Sequence, residues 1–190
     1  MPMLAVMGPN SRALLEKLSG ADLSNEAFPF GTSQEIEIGY GTVRASRLTF
    51  VGELGWELYM PADFSAHVFD RLTEVGRDFD LGHAGFFALN SLRMEKGYRH
   101  WGHDIGEEDT PIEGGLSFAV DYNKSSFIGR DALLKQKEAG IPKKRLVQFQ
   151  LPEGCQKMLY HEEPIRKDGE ILGSITSGGF GHRINRSLGM

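Results

Sequence analysis

Between residues 35 and 59 the chain alternates polar and apolar side chains in short runs cut by glycines: Glu35-Ile36-Glu37-Ile38, Gly39-Tyr40-Gly41, Val43 to Phe50, Gly52-Glu53-Leu54-Gly55 and Trp56-Glu57-Leu58-Tyr59. A period of two puts successive side chains on opposite faces of a strand, so these runs predict a half-buried antiparallel sheet with tight turns. The flanking segments keep a different period. Leu14, Leu15 and Leu18 share a helical face ended by Gly20, and Phe64, Val68, Leu72 and Val75 recur at steps of four, four and three. A sheet with one apolar face between amphipathic helices points to an α+β fold, an antiparallel sheet with packed helices.

The same two periods organise the rest. Leu4 to Val6 reads as a strand, Ser11 to Leu18 as a helix capped by Asn10, and Pro61 to Phe79 as a longer helix. Gly85 to Lys96 reads as a helix with Phe86, Leu89, Leu92 and Arg93 on one face, stopped by Gly97. Leu116 to Val120 reads as a strand, and Gly129 to Ala139 as a helix ended by Gly140 and Pro142. From Arg145 the pattern is all strand: Leu146 to Leu151 alternates, and Pro164 to Arg166 and Glu170 to Thr176 flank an Asp168-Gly169 hairpin turn. The basic segment 140–144 divides the chain into residues 1–140 and 145–190.

Composition removes several functions. At 190 residues, 40% hydrophobic and 25% charged, the chain can build a core without staples, and the single Cys155 excludes an internal disulfide or a cysteine metal cluster. The net charge is −5 and the longest basic run is Lys143-Lys144-Arg145, so no basic stripe offers itself to nucleic acid. No apolar stretch approaches the ~18 residues of a membrane span, and the first residues do not read as a secretory leader. Glycine is abundant, 24 of 190 residues against a usual share of about 7%, and dispersed among strand-like runs, which predicts many turns and loops that approach a ligand. Both ends fall in apolar runs, Leu4 to Met7 and Ser187 to Met190, and read as cuts within core segments.

Generic catalytic motifs are missing: there is no dinucleotide fingerprint, phosphate-binding loop or nucleophile elbow. His100, His103 and Asp104 lie together in a loop without a second pair of ligands, and a solvated or hydrogen-bonded pair is preferred to a metal site. Glu53 and Glu57 sit beside Phe50 and Trp56 on a glycine-rich turn entering a strand. Spacing alone favours two solvated carboxylates on an edge strand. The sharper alternative is that one carboxylate binds a flat heterocycle, its two oxygens matching adjacent ring N–H and amine donors such as those of a pterin. Burial of Glu57 discriminates between them. Arg93, Glu95 and Lys96 end a helix; they form a solvated face or helix-end ion pair, or Arg93 reaches inward to tie down the following loop.

Six motifs occur together in one order: Arg47-x-x-Phe50-x-Gly52-Glu53-x-Gly55-x-Glu57; Asn90 to Gly97; Gly102-His103-Asp104; Thr110 to Leu116; Phe127-Ile128-Gly129-Arg130; and Gly173 to Gly178. In this set the chain resembles the glycine-cleavage T-protein (aminomethyltransferase) family over nearly its whole length. The stretch Glu95-Lys96-Gly97-Tyr98-Arg99 to Gly102 is most similar to the folate-binding C-terminal region of dimethylglycine and sarcosine dehydrogenases. The resemblance implies the aminomethyltransferase folate-binding fold over residues 1–140 and an incomplete C-terminal β-barrel over 145–190.

It also implies tetrahydrofolate binding. The family's pterin-binding carboxylate, the last of its Tyr-x-Gly-Glu-x-Gly-x-Glu motif, falls on Glu57, and the motif's tyrosine is Phe50, which keeps the ring and loses the hydroxyl. A pterin-contacting arginine of the T-proteins falls on Leu89, a departure from their pattern. The resemblance puts a folate wall at Phe118, a contact for the folate tail at Arg183, and a further folate-region residue at Arg93. The reacting aspartate of the family precedes the segment matching Leu4 to Pro9 and is not among these residues, so no catalytic residue is assigned and the isolated chain is expected to lack transferase activity. The cysteine of the iron–sulfur maintenance branch is replaced in Lys124-Ser125-Ser126-Phe127, which disfavours that branch.

The implied activity of the full-length protein is transfer of a one-carbon unit from a secondary or tertiary amine such as dimethylglycine or sarcosine to tetrahydrofolate. A flavin dehydrogenase domain, in cis or in trans, would carry the FAD; the setting is cytoplasmic, or the mitochondrial matrix in a eukaryote. The alternatives are a folate-binding or regulatory module without catalysis, and a poorly folding fragment.

Overall fold

The computed structural model describes residues 1–155 and 157–190. They form two compact units, Met1–Leu89 and Asn90–Met190.

In the first unit, β1 (Met3–Met7), β2 (Ser33–Ile38), β3 (Gly41–Ser46) and β4 (Gly55–Tyr59) make an antiparallel sheet of order β1-β4-β3-β2. The first strand therefore lands beside the last, which makes β4 central. The β2–β3 hairpin turns through Gly39 and Tyr40. Gly39 is held at a φ of 63°, and a Cβ there would meet His67 Nε2 at 2.1 Å, so only glycine fits.

Helices α1 (Ser11–Ser19) and α2 (Ala62–Gly76) pack against each other and against the sheet, and a 3₁₀ turn, Arg77–Phe79, follows α2. The predicted period holds in both helices: Leu14 and Leu15 of α1 and Val68 and Leu72 of α2 are buried, in one core with Ile36, Ile38, Val43, Ala45, Trp56 and Leu58. Trp56 is its largest member. Phe28 meets it edge-on at 6.1 Å, and the Arg12 and Arg47 guanidinium groups lie 5.9 and 5.7 Å from its ring centre. A fully buried Leu or Val side chain contributes about 1.5–3 kcal/mol, so this layer holds the first unit.

The second unit contains the C-terminal part of α3 (Phe86–Lys96), a 3₁₀ turn (Ser117–Ala119), α4 (Arg130–Glu138), and five short strands: β5 (Phe149–Gln150), β6 (Pro164–Lys167), β7 (Glu170–Ser174), β8 (Gly178–Gly181) and β9 (Arg186–Gly189). They pair as β5-β9-β8 and as a β6–β7 hairpin, and among the described residues no barrel closes. Asp168 and Gly169 turn that hairpin with φ of 52° and 86°, the geometry expected of a two-residue turn with both central residues left-handed. A small core joins Met94, Leu188 and Met190.

Four expectations from periodicity are corrected. The strand expected over Leu116 to Val120 is the 3₁₀ turn: Gly115 reverses the backbone at a φ of 68°, and Arg99 donates to the carbonyls of Gly114 and Gly115. The run from Val43 stops as a strand at Ser46, since the Arg47 backbone pairs with Gly31 and Thr32. The run from Leu146 shrinks to Phe149–Gln150, because Leu146 N–H donates to Glu113 and the Gln148 amide to the Met94 carbonyl. In α3 the buried residues are Arg93 and Met94, while Phe86, Phe87 and Leu92 are exposed. No helix among the described residues is long and apolar enough to cross a membrane.

Candidate functional site

Strand β4 presents two faces of opposite character. Trp56 and Leu58 point into the core at 0% exposure, so the period of two sends Glu57 and Tyr59 to the other face, where both are half-buried. Glu57 is paired with Ala5 on β1 and with Ser46 on β3. It is therefore on a central strand, not the edge strand that spacing alone favours. Its lateral neighbours on β1 and β3 are short side chains, Ala5 and Ser46, and Gly55 precedes it on the same face.

Gly55 is fixed by packing: a Cβ there would lie 2.6 Å from Met7 Cγ and 3.0 Å from the Val6 carbonyl oxygen. The Tyr59 hydroxyl donates to Glu57 Oε2. That bond, then burial and the carboxylate charge, raises the Tyr59 pKa above its ordinary value. One carboxylate oxygen is thus engaged by the protein, and among the described residues no other hydrogen bond fixes this side chain.

Phe50 lies in the β3–β4 connection, half-buried, in the bend before Gly52. Thr49 Oγ1 accepts from the N–H groups of Val51 and Gly52 at 3.3 and 2.9 Å, and Gly52 takes a φ of 73°. The Leu54 carbonyl then accepts from Gly8 N–H at 2.8 Å and the Ser11 hydroxyl at 3.1 Å. These ties define the connection that carries Phe50 and delivers the chain into β4 at Glu57.

Arg93, Phe118 and Arg183 belong to the second unit. Arg93 is 2% exposed and is spent internally. Its Nη1 donates to Asp104 Oδ2 at 2.5 Å and to the Tyr98 carbonyl at 3.0 Å, its Nε to Asn90 at 2.8 Å, and its Nη2 to the Ser177 hydroxyl at 2.8 Å. Of the alternatives left open by the sequence, the structure takes the inward tie that fastens the following loop.

Asp104 completes that tie. It also accepts the Thr176 hydroxyl at 2.6 Å and the His100 N–H at 2.8 Å. Burial pushes its pKa up, but the hydrogen bonds from Thr176, His100 and Ser177 and the Arg93 charge outweigh it and hold the carboxyl below its ordinary value. The Asp104 carboxylate therefore faces Arg93, and the His100 and His103 imidazoles stack at 4.7 Å. Among the described residues no group of three or more His, Cys, Asp or Glu is placed to hold a metal.

Phe118 sits in the 3₁₀ turn at 83% exposure. Arg183 is exposed in the β8–β9 connection, which Glu95 fastens by accepting the N–H groups of Arg183 and Ile184 at 2.8 and 3.3 Å. Sequence reasoning did not single out Tyr59. The signal was present, since the same period of two that exposes Glu57 puts Tyr59 beside it.

Comparison with known proteins matches residues 1–124 to the GCVT N-terminal domain and residues 144–190 to the glycine cleavage T-protein C-terminal barrel domain. The chain is 43% identical to a 4-methylaminobutanoate oxidase (formaldehyde-forming) of Paenarthrobacter nicotinovorans, over 98% of this chain and 23% of the oxidase. It is 40% identical to the mitochondrial sarcosine dehydrogenase of Mus musculus, over 98% of this chain and 20% of the dehydrogenase. The crystal structure of the glycine cleavage system aminomethyltransferase T from Bartonella henselae superposes with a TM-score of 0.79 at 27% identity, covering 98% of this chain and 50% of that one. The chain thus spans about a fifth of these two dehydrogenase and oxidase relatives and half of the solved aminomethyltransferase.

Proposed function

Since this chain belongs to the glycine cleavage T-protein family, we propose that it is the folate-recognition module of a larger amine-oxidising enzyme. The one-carbon unit removed from a methylated secondary or tertiary amine, sarcosine or dimethylglycine being the expected type, is captured on tetrahydrofolate. The observation that carries the reading is the Glu57 carboxylate: half-buried, on a central strand, flanked by Ala5 and Ser46, with one oxygen held by Tyr59. A carboxylate in that setting accepts the paired N–H donors of a pterin edge. Those residues fit the ring of a reduced folate, and Phe50, on the connection that enters β4, adds an apolar surface.

Tetrahydrofolate supplies the nucleophilic nitrogens that accept the one-carbon unit. Glu57 binds and orients the ring, with the small residues Ala5 and Ser46 beside it on the neighbouring strands. Oxidation of the amine belongs to a flavin domain in cis or in trans; proton steering belongs to the aspartate that the resemblance places before Leu4.

The test is calorimetric titration of 5-formyltetrahydrofolate into the 190-residue chain and into Glu57→Gln. Binding that weakens by about tenfold or more in the variant supports the reading, since a hydrogen bond to a charged group is worth about 1.5–3 kcal/mol. Equal affinity in both proteins, or no binding to either, overturns it.

A further inference from the structure

The face of the first sheet opposite the core carries one side chain whose only described polar partner is the Glu57 carboxylate, and it was not among the residues assigned to the site. Tyr59 stands two residues beyond Glu57 on β4, so both project from the same face. Tyr59 is paired with Met3 on β1 and Arg44 on β3, and Arg44 turns to Glu35 on the neighbouring strand at 3.5 Å. The phenol is left with Glu57 Oε2 as its acceptor. A glutamate side chain has three rotatable bonds, and among the described residues Tyr59 makes the one hydrogen bond that holds it, with the short side chains of Ala5 and Ser46 alongside. A rigid phenol anchored in the strand removes that freedom for one oxygen.

We propose that Tyr59 is a positioning residue for the ligand carboxylate: its hydroxyl takes one lone pair of Glu57 Oε2 and so fixes the plane in which both oxygens meet the paired donors of a planar, amidine-like heterocycle. The inference rests on the folate-binding reading of Glu57 and adds the group that sets the orientation of its carboxylate. Tyr59 acts through Glu57 and touches no ligand. Its removal therefore loosens the carboxylate without removing the ring's hydrogen-bond partner. Loss of the phenol hydroxyl also leaves a Phe ring of nearly the same shape in a half-buried position, so the fold is unaffected.

The experiment is a double-mutant cycle on the full 190-residue chain, titrating 5-formyltetrahydrofolate into wild type, Tyr59→Phe, Glu57→Gln and the double variant. Tyr59→Phe is expected to weaken binding about tenfold in the wild-type background and to add nothing in the Glu57→Gln background. A merely structural role gives the same loss in both backgrounds and overturns the proposal. So does a Tyr59→Phe protein that binds like wild type while Glu57→Gln does not. If Glu57→Gln binds like wild type, it is the folate-binding reading of Glu57 that fails.

A second readout needs no ligand. In spectrophotometric titration of the five tyrosines, one phenol is expected to ionise late in wild type and to ionise earlier in Glu57→Gln, which removes the carboxylate charge and weakens the bond but leaves the burial. An unchanged titration curve means that the pair does not exist in solution, and the positioning role falls with it.

Discussion

Replacing Asp104 by asparagine tests the buried tie on which the second unit depends. The Arg93 and Asp104 side chains are 3% and 0% exposed, and their contact is 2.5 Å. Asparagine keeps the shape and one acceptor oxygen but removes the charge, so Arg93 would remain buried with neutral acceptors alone: that oxygen, Asn90, Tyr98 and Ser177. Breaking a buried pair from one side costs about 3–5 kcal/mol, and the isosteric change belongs at the lower end, about 3 kcal/mol. Asp104→Ala should cost more, because the Thr176 hydroxyl and the His100 N–H lose their acceptor as well. The assay is urea unfolding followed by far-UV circular dichroism, where about 3 kcal/mol moves the midpoint by more than about 1 M. The pH dependence supplies the control. A carboxyl whose folded-state pKa is depressed contributes its full stabilisation above the unfolded value, near 3.8, and loses it as pH falls through the lower folded value. The deficit of Asp104→Asn should therefore hold at neutral pH and shrink only below about 3.8. An asparagine variant within about 0.5 kcal/mol of wild type at pH 7, or a deficit undiminished in acid, refutes the reasoning.

Two further substitutions separate packing from recognition. Gly55→Ala forces a Cβ to within 2.6 Å of Met7 Cγ, and is expected to lower stability by about 1–3 kcal/mol in chemical denaturation; a neutral result would show that β1 shifts freely past β4. Phe118→Ala removes a ring that is 83% exposed, so Tm should stay within about a degree while affinity for 5-formyltetrahydrofolate falls several-fold; unchanged affinity removes Phe118 from the folate contacts.

The sheet was legible because its pattern is enforced at every second residue. With Trp56 and Leu58 in the core, a slip of one position would bury Glu57 and Tyr59 instead, so alternation fixed which face each side chain takes. The Asp168-Gly169 turn was legible for a similar reason, since few residue pairs tolerate two left-handed positions in succession. Helix α3 was misread on the same kind of signal. Phe86, Leu89 and Leu92 have the spacing of a buried face, yet Arg93 and Met94 are the residues enclosed. Periodicity weighs apolar area, and could not register that a guanidinium with four oxygen partners is stably buried. Arg99 shaped a turn for a related reason, by donating to the carbonyls of Gly114 and Gly115, and the strand ended at Ser46 because the Arg47 backbone pairs with Gly31 and Thr32.

By itself the sequence determined the class of fold and the family, since these rest on local period and on residue types in fixed order. The tertiary structure decided where each strand lies in its sheet and which groups answer each charge. Strand order made Glu57 central by bringing β1 across to β4, and loop closure gave the Asp104 carboxylate to the Arg93 guanidinium, the Thr176 hydroxyl and the His100 backbone N–H. Both outcomes depend on residues distant in the chain, and pairing over such distances is set by the packing of the whole layer, which no local pattern encodes.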